Sequence, residues 1–151
     1  MNNTLQSLPP SSLIDPLPLE ARKHLSMHGE FHQIQTGGVL IKQGVSHGSL
    51  YYIISGEFEA KREDQDNTIL LGRIHAGEWV GELDLFDQES AVCSVVATTP
   101  GQYWKIHRQA FDAFNSDFPA DGNLLLNSLA LLLSRRIRNV TRQLAWRSLI
   151  S

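Results

Sequence analysis

WVGELDLFDQESAVCSVVAT, residues 79–98, is the stretch whose reading decides the fold. Trp79 and Val80 read as the end of a strand, and Gly81, Glu82 and Leu83 as the entry to a short apolar turn of helix that carries Leu85 and Phe86. A polar loop follows, and then a β-branched strand over residues 92–96. Strand, helical turn and strand in this order make a cradle. The first N–H groups of such a turn lack partners within the helix and sit at its positive end, so the cradle favours an anion.

On both sides of the cradle the pattern stays β-rich. From Phe31 to His107 short runs alternate with turn signals: FHQIQ, VLIKQG, LYYIISG, EFEAKR, a polar EDQDN loop, TILLGRI, HAGEWVG, SVVATT and QYWKIH. Runs this short, repeating roughly every eight to twelve residues, predict an antiparallel sandwich or barrel. Alternation in FEAKR and in residues 102–106 puts one face inward and one in water, whereas YYII is apolar on both faces and belongs in a central strand. Ser55-Gly56-Glu57 is the clearest hairpin turn in the sequence.

Helical patterns flank this region. Residues 17–28, LPLEARKHLSMH, place Leu19, Ala21 and Leu25 on one side of a short helix within a segment spanning 17–30. His24, His28 and His32 fall at four-residue spacing, but Gly29 ends the helix between them. No metal site is expected, because zinc needs three or four converging ligands. Residues 108–117 form a helix with Ala110, Phe111 and Phe114 on one face, stopped near Pro119. One longer helix, residues 122–149, completes a C-terminal helical part spanning 108–149. Its apolar positions Leu126, Leu129, Leu133, Ile137, Val140 and Leu144 step by three or four and predict the seam of a parallel homodimer, with Leu125, Leu131 and Leu132 widening the stripe near its start.

The 151 residues, 42% of them hydrophobic, match one globular domain over 1–151. No apolar run reaches the roughly 18 residues that span a bilayer, and MNNTLQSLPPSS lacks the pattern of a signal peptide, so a cytoplasmic location follows. The single cysteine, Cys93, excludes an internal disulfide and reads as a small buried strand residue. Charge is uneven: up to Asp121 there are eight Lys/Arg against 16 Asp/Glu, and beyond it only Arg135, Arg136, Arg138, Arg142 and Arg147. Those five, near a helix C-terminus, read as a solvated face that suits the helix dipole.

VLIKQG, LYYIISGEFEAKR, RIHAGEWVGELDLF and SVVATT, in that order and spacing, resemble the cyclic-nucleotide-binding domain of the catabolite-activator and FNR family and of cyclic-nucleotide-dependent kinases and channels. The resemblance runs from about Leu17 to Leu144. It implies an eight-stranded antiparallel jelly-roll β-barrel over 31–107, with a helix before it and a long dimerisation helix after it. It also implies a ligand, cyclic AMP or cyclic GMP. By this resemblance the amides at Glu82 and Leu83 face the cyclic phosphate, Gly81 permits close approach, and the Glu82 carboxylate accepts the ribose 2′-hydroxyl. Ala91, Val92, Cys93 and Ser94 line the other side of the cassette, and Val140 and Thr141 of the long helix reach the base.

The sequence departs from that pattern at one point. The family arginine that clamps the phosphate falls on Ala91, or on Ser90 or Val92 if the register shifts by one, and no Arg or Lys lies between Arg73 and Lys105. A charge-assisted hydrogen bond contributes about 1.5–3 kcal/mol, so its loss weakens binding roughly ten- to two-hundred-fold. Asp84, Asp87 and Glu89 add repulsion.

Two readings follow, neither of them enzymatic. The chain is a regulatory module that senses a cyclic nucleotide or related small molecule and signals through its dimer helix to a protein partner; or it is a dimeric scaffold or adaptor that has lost its ligand. A metal-dependent jelly-roll enzyme needs clustered histidines, and His47, His75 and His107 stand on separate elements. No helix-turn-helix follows the long helix before Ser151, so these residues hold no DNA-binding domain, and the chain reads either as a free-standing sensor domain or as a piece of a longer regulator.

Overall fold

A computed structural model describes Leu8 and residues 17–150, apart from the side chains of Arg147 and Ile150; the Pro- and Ser-rich lead, Leu8 excepted, and Ser151 lie outside the described residues. Helix α1 (Leu19–His28) is followed by strands β1 (Glu30–Ile34), β2 (Val39–Ile41), β3 (Ser49–Ser55), β4 (Phe58–Asp64), β5 (Asn67–Ile74) and β6 (Trp79–Val80). Then come α2 (Glu82–Asp87), β7 (Ser94–Ala97), β8 (Gly101–His107), α3 (Arg108–Asp117) and α4 (Pro119–Ile150).

The strands form two four-stranded antiparallel sheets, ordered β1-β8-β3-β6 and β2-β7-β4-β5. The eight expected strands are present, but the expected barrel is not closed: among the described residues no edge strand of one sheet pairs with the other. Nor is Ser55-Gly56-Glu57 a hairpin. β3 pairs with β8 and β6, while β4 pairs with β5 and β7, so the chain crosses between sheets at Gly56, which has φ 92°. The tight hairpin is β4–β5, turned at Gln65 and Asp66, with Gln65 rather than a glycine in the left-handed region.

Strand β3 explains why there are two cores. Tyr51 and Ile53 point between the sheets and pack with Leu40, Ile41, Phe58, Val80, Ala91, Val95 and Ala97. Leu50 and Tyr52 point the other way and pack with Trp79, Trp104 and Ile106 against Leu25 of α1, Phe111 and Phe114 of α3, and Leu125 and Leu129 of α4. A strand apolar on both faces is thereby buried on both. Residues 102–106 follow the same logic and differ from expectation: Trp104 and Ile106 meet the helices, but Tyr103 packs between the sheets rather than facing only water.

Helix α3 ends at Asp117, just before Pro119 as expected, and α4 opens at Pro119 rather than at residue 122, because the fixed φ and missing N–H of proline suit a first turn. His24 stacks on Phe118 at 4.5 Å between ring centroids and His28 lies edge-on to Phe114, so these histidines pack as aromatic rings. Leu129, placed in the dimer seam by its spacing, is fully buried in the chain's own core. The later seam positions Ile137, Val140 and Leu144 are exposed, Leu126 is partly exposed and Leu133 is half-buried.

Candidate functional site

The cradle read from residues 79–98 surrounds a cavity of about 220 Å³. Its apolar walls are Ile41, Ala60, Ile74, Val80 and Val95, and its polar groups are His47, Glu82, Asp84 and Arg136. Gly81, Glu82, Leu83, Ala91, Val92 and Cys93 of the expected site also line it. Ser94 is not in the wall; its Oγ accepts the Gln43 N–H at 2.9 Å and ties β7 to the segment after β2. Val140 and Thr141 lie one turn beyond the cavity on an exposed part of α4, and the Thr141 hydroxyl donates to the Ile137 carbonyl at 2.9 Å.

Gly81 sets the cradle's geometry. It caps α2 with φ 86°, and a Cβ there would lie 2.7 Å from the Ser49 carbonyl oxygen, 3.0 Å from His47 and 3.1 Å from Tyr51. Gly81→Ala is expected to cost about 1–2 kcal/mol through left-handed strain and this clash. Chemical denaturation would show it as a lower midpoint with unchanged slope; an unaltered midpoint would mean that the turn relaxes freely.

Ala91, where the resemblance puts the family arginine, is buried among the core residues between the sheets. Its N–H donates to the Val45 carbonyl at 3.0 Å and its carbonyl accepts the Gly44 N–H at 2.8 Å. Three arginines distant in sequence approach the cassette instead; Arg108 of α3 donates through Nη1 to the Leu85 carbonyl at 2.8 Å and to the Phe86 carbonyl at 3.3 Å on α2. Arg62 of β4 donates to the Val92 carbonyl at 2.5 Å on the outer side of the loop. Arg136 of α4 lines the cavity and donates through Nη1 to Glu82 Oε1 and through Nη2 to the Trp79 carbonyl.

The reading of the arginines as a solvated face is therefore corrected at Arg136. A signal was present in the sequence: Leu125, Leu129, Leu132 and Arg136 step by three or four and lie on one face, so Arg136 extends the body-facing stripe by a turn. The Glu82 carboxylate, to which the resemblance assigns the ribose hydroxyl, is buried, and its Oε1 accepts from Arg136. Its Oε2 has no hydrogen-bond partner among the described residues.

The other acid of the cradle, Asp84, lies against His47 Nε2. His47 Nδ1 accepts the Ser49 N–H at 3.1 Å, which places the ring proton on Nε2, facing the carboxylate. Burial holds His47 below its ordinary value of 6.5, and Asp84 opposes the shift; burial likewise holds Asp84 above 3.8. Unfolding therefore raises the affinity of His47 for a proton, so its contribution to stability is present above about pH 6.5 and is lost as pH falls. Asp84 has the opposite sign, with a stabilising contribution at low pH that is lost as pH rises through its elevated value. The melting temperature is expected to fall between about pH 7 and pH 5.5, less steeply in His47→Gln. Parallel profiles for the two proteins would assign the fall to other groups.

Cys93 is half-buried in the same wall, and burial, with Asp84 and Glu82 nearby, raises its thiol pKa. It is placed to pack, and its thiolate is disfavoured.

Comparison with known proteins agrees with this architecture. Clp, a CRP-like protein of Xanthomonas campestris pv. campestris, is 26% identical over 146 residues, covering 95% of this chain and 62% of its own length. The chain thus spans about three-fifths of that relative. The catabolite activator protein of Thermus thermophilus superposes with a TM-score of 0.81 at 25% identity, covering 91% of this chain and 63% of that one. The structure of the c-di-GMP-responsive global regulator CLP of Xanthomonas campestris superposes with a TM-score of 0.74 at 23% identity, covering 85% of this chain and 63% of that one. The profile of the cyclic nucleotide-binding domain matches residues 31–117. With two sheets, the helical cradle after β6 and a long C-terminal helix all in place, the chain belongs to the cyclic nucleotide-binding domain family.

Proposed function

We propose that the chain is a non-catalytic, cytoplasmic sensing module in which a small molecule in the cassette cavity sets the position or stability of α4. Two copies pair through α4 as a homodimer, and a protein partner reads the change. A cyclic nucleotide is the ligand kind that the family implies. The relative CLP is described as responsive to c-di-GMP, which supports a regulatory role for this fold.

One observation carries the reading: Arg136 joins the output helix to the wall of the cavity through Glu82 and the Trp79 carbonyl. Whatever alters the surroundings of Glu82 alters an anchor of α4, and this is the differential contact that a ligand-driven population shift requires. The exposed stripe Ile137, Val140 and Leu144 begins directly beyond that anchor. Buried Ala91, where the family has an arginine, favours the second reading, a dimeric scaffold without a ligand.

Sedimentation analysis of Glu82→Gln separates the two. The sensing reading expects the dimer dissociation constant to change at least threefold, because the neutral amide weakens the anchor of α4. The scaffold reading expects the same constant in both proteins.

A further inference from the structure

In the free chain the acceptor end of the cavity already holds a guanidinium. Two donors of one planar group, Arg136 Nη1 and Nη2, meet Glu82 Oε1 and the Trp79 carbonyl. A third acceptor, Glu82 Oε2, is buried without a partner among the described residues, on a side chain that is 8% exposed. The Arg136 side chain is itself 38% exposed, so it comes in from the solvent side and can leave by it. Around these acceptors the wall is aliphatic: Ile41, Ile74, Val80 and Val95.

We propose that this cavity is a site for a planar cationic donor, a guanidinium or amidinium carried on an apolar stem, and that such a ligand competes with Arg136 for Glu82. The proposal rests on the sensing reading above and names the ligand class of that same site. A guanidinium arriving through the cavity repeats the paired donor geometry, keeps the buried carboxylate neutralised and lays its stem on the aliphatic wall. It also frees Arg136, and with it the anchor of α4. A phosphate meets the opposite conditions. Arg136 is the cation among the lining residues, and it is engaged; Asp84 adds a second acid, held against His47. Drawing Arg136 to a phosphate strands Glu82 as a buried, unpaired charge.

A tethered competitor acts at an effective concentration in the millimolar range, so its removal must tighten binding of a free guanidinium. Agmatine, a guanidinium on a four-carbon stem, is the probe; 1,4-diaminobutane keeps a stem and a cation without the planar fork, and cyclic AMP supplies the phosphate. Calorimetry on Arg136→Ala is expected to show one saturable agmatine site, at least tenfold tighter than in the unaltered protein and at least tenfold tighter than for diaminobutane. Agmatine should also raise the variant's melting temperature, and Glu82→Gln should abolish binding in either background.

The proposal is overturned if agmatine does not saturate Arg136→Ala at millimolar concentration, if Glu82→Gln leaves agmatine binding intact, or if cyclic AMP binds more tightly than agmatine. If Arg136→Ala does not fold, Arg136→Lys serves, since it keeps the charge and loses the fork; the same order of affinities is required of it. Absence of agmatine binding alongside a dimer constant that still responds to Glu82→Gln would overturn this ligand class and leave the sensing reading standing.

Discussion

Arg136→Ala is expected to lower the melting temperature by about 5–10 °C, corresponding to ~2–3 kcal/mol for a chain of this size. The loss is large because the substitution strands Glu82 rather than merely deleting a surface contact. Glu82 is buried, and Arg136 is the partner of its Oε1. Breaking a fully buried ion pair from one side costs about 3–5 kcal/mol, and the partial exposure of Arg136 reduces the figure by solvent screening. A double-mutant cycle with Glu82→Gln tests the cause. The double variant should be more stable than the sum of the single changes implies, by at least about 1 kcal/mol, because the neutral amide no longer requires the cation. Additive losses would mean that Arg136 stabilises the fold by packing its stem and that the charge pair contributes little.

Replacing Ile137 and Val140 together by aspartate is expected to raise the dimer dissociation constant at least about a hundredfold, with the monomer's helix content unchanged. Both side chains are exposed in the single chain, Ile137 at 65% and Val140 at 54%, so the monomer gives up no core contact. A two-fold symmetric seam counts each substitution twice. Burial of one aliphatic side chain is worth ~1.5–3 kcal/mol, and even partial burial of four such groups exceeds the roughly 2.7 kcal/mol that a hundredfold change requires. Sedimentation equilibrium reads the constant directly. A dimer of unchanged affinity would place the self-association surface away from the second half of α4. Leu129 makes an informative contrast: it is wholly buried within the chain, so Leu129→Ala should destabilise the monomer by about 2–5 kcal/mol and act on the dimer only through that loss.

Local patterns carried most of the fold. The two-sided apolar run of β3, the period of α3 and the cradle between β6 and β7 each depend on neighbours in sequence, and each appears at the expected place. What alternation does not encode is which sheet a strand joins. Ser55-Gly56-Glu57 has the composition of a hairpin turn, yet the chain leaves one sheet there and enters the other, since turn residues report local φ and not strand pairing. The site was legible in part for the same reason. Glycine and the acids of the cassette are contiguous, so Gly81, Glu82 and Leu83 were found together. Arg136 stands 54 residues from Glu82, and its role depends on where α4 crosses the cradle. Its charge placed it with the solvated arginines; only the continued spacing from Leu125 through Leu129 and Leu132 pointed inward. Ala91, where the resemblance puts the family arginine, lines the cavity with its methyl group, and its backbone N–H and carbonyl are both bonded.

The coupling of cavity to helix is tested most directly by amide hydrogen exchange along α4 in the unaltered protein and in Glu82→Gln, compared at one pH and at protein concentrations that keep both in the same association state. If Arg136 anchors α4 to the cavity wall, amides from about Leu133 to Leu144 should exchange at least severalfold faster in the variant, while those near Leu125 and Leu129, held by the core, stay as protected as before. Identical exchange along the whole of α4 in the two proteins would contradict the coupling and leave the helix as a passive dimer strut.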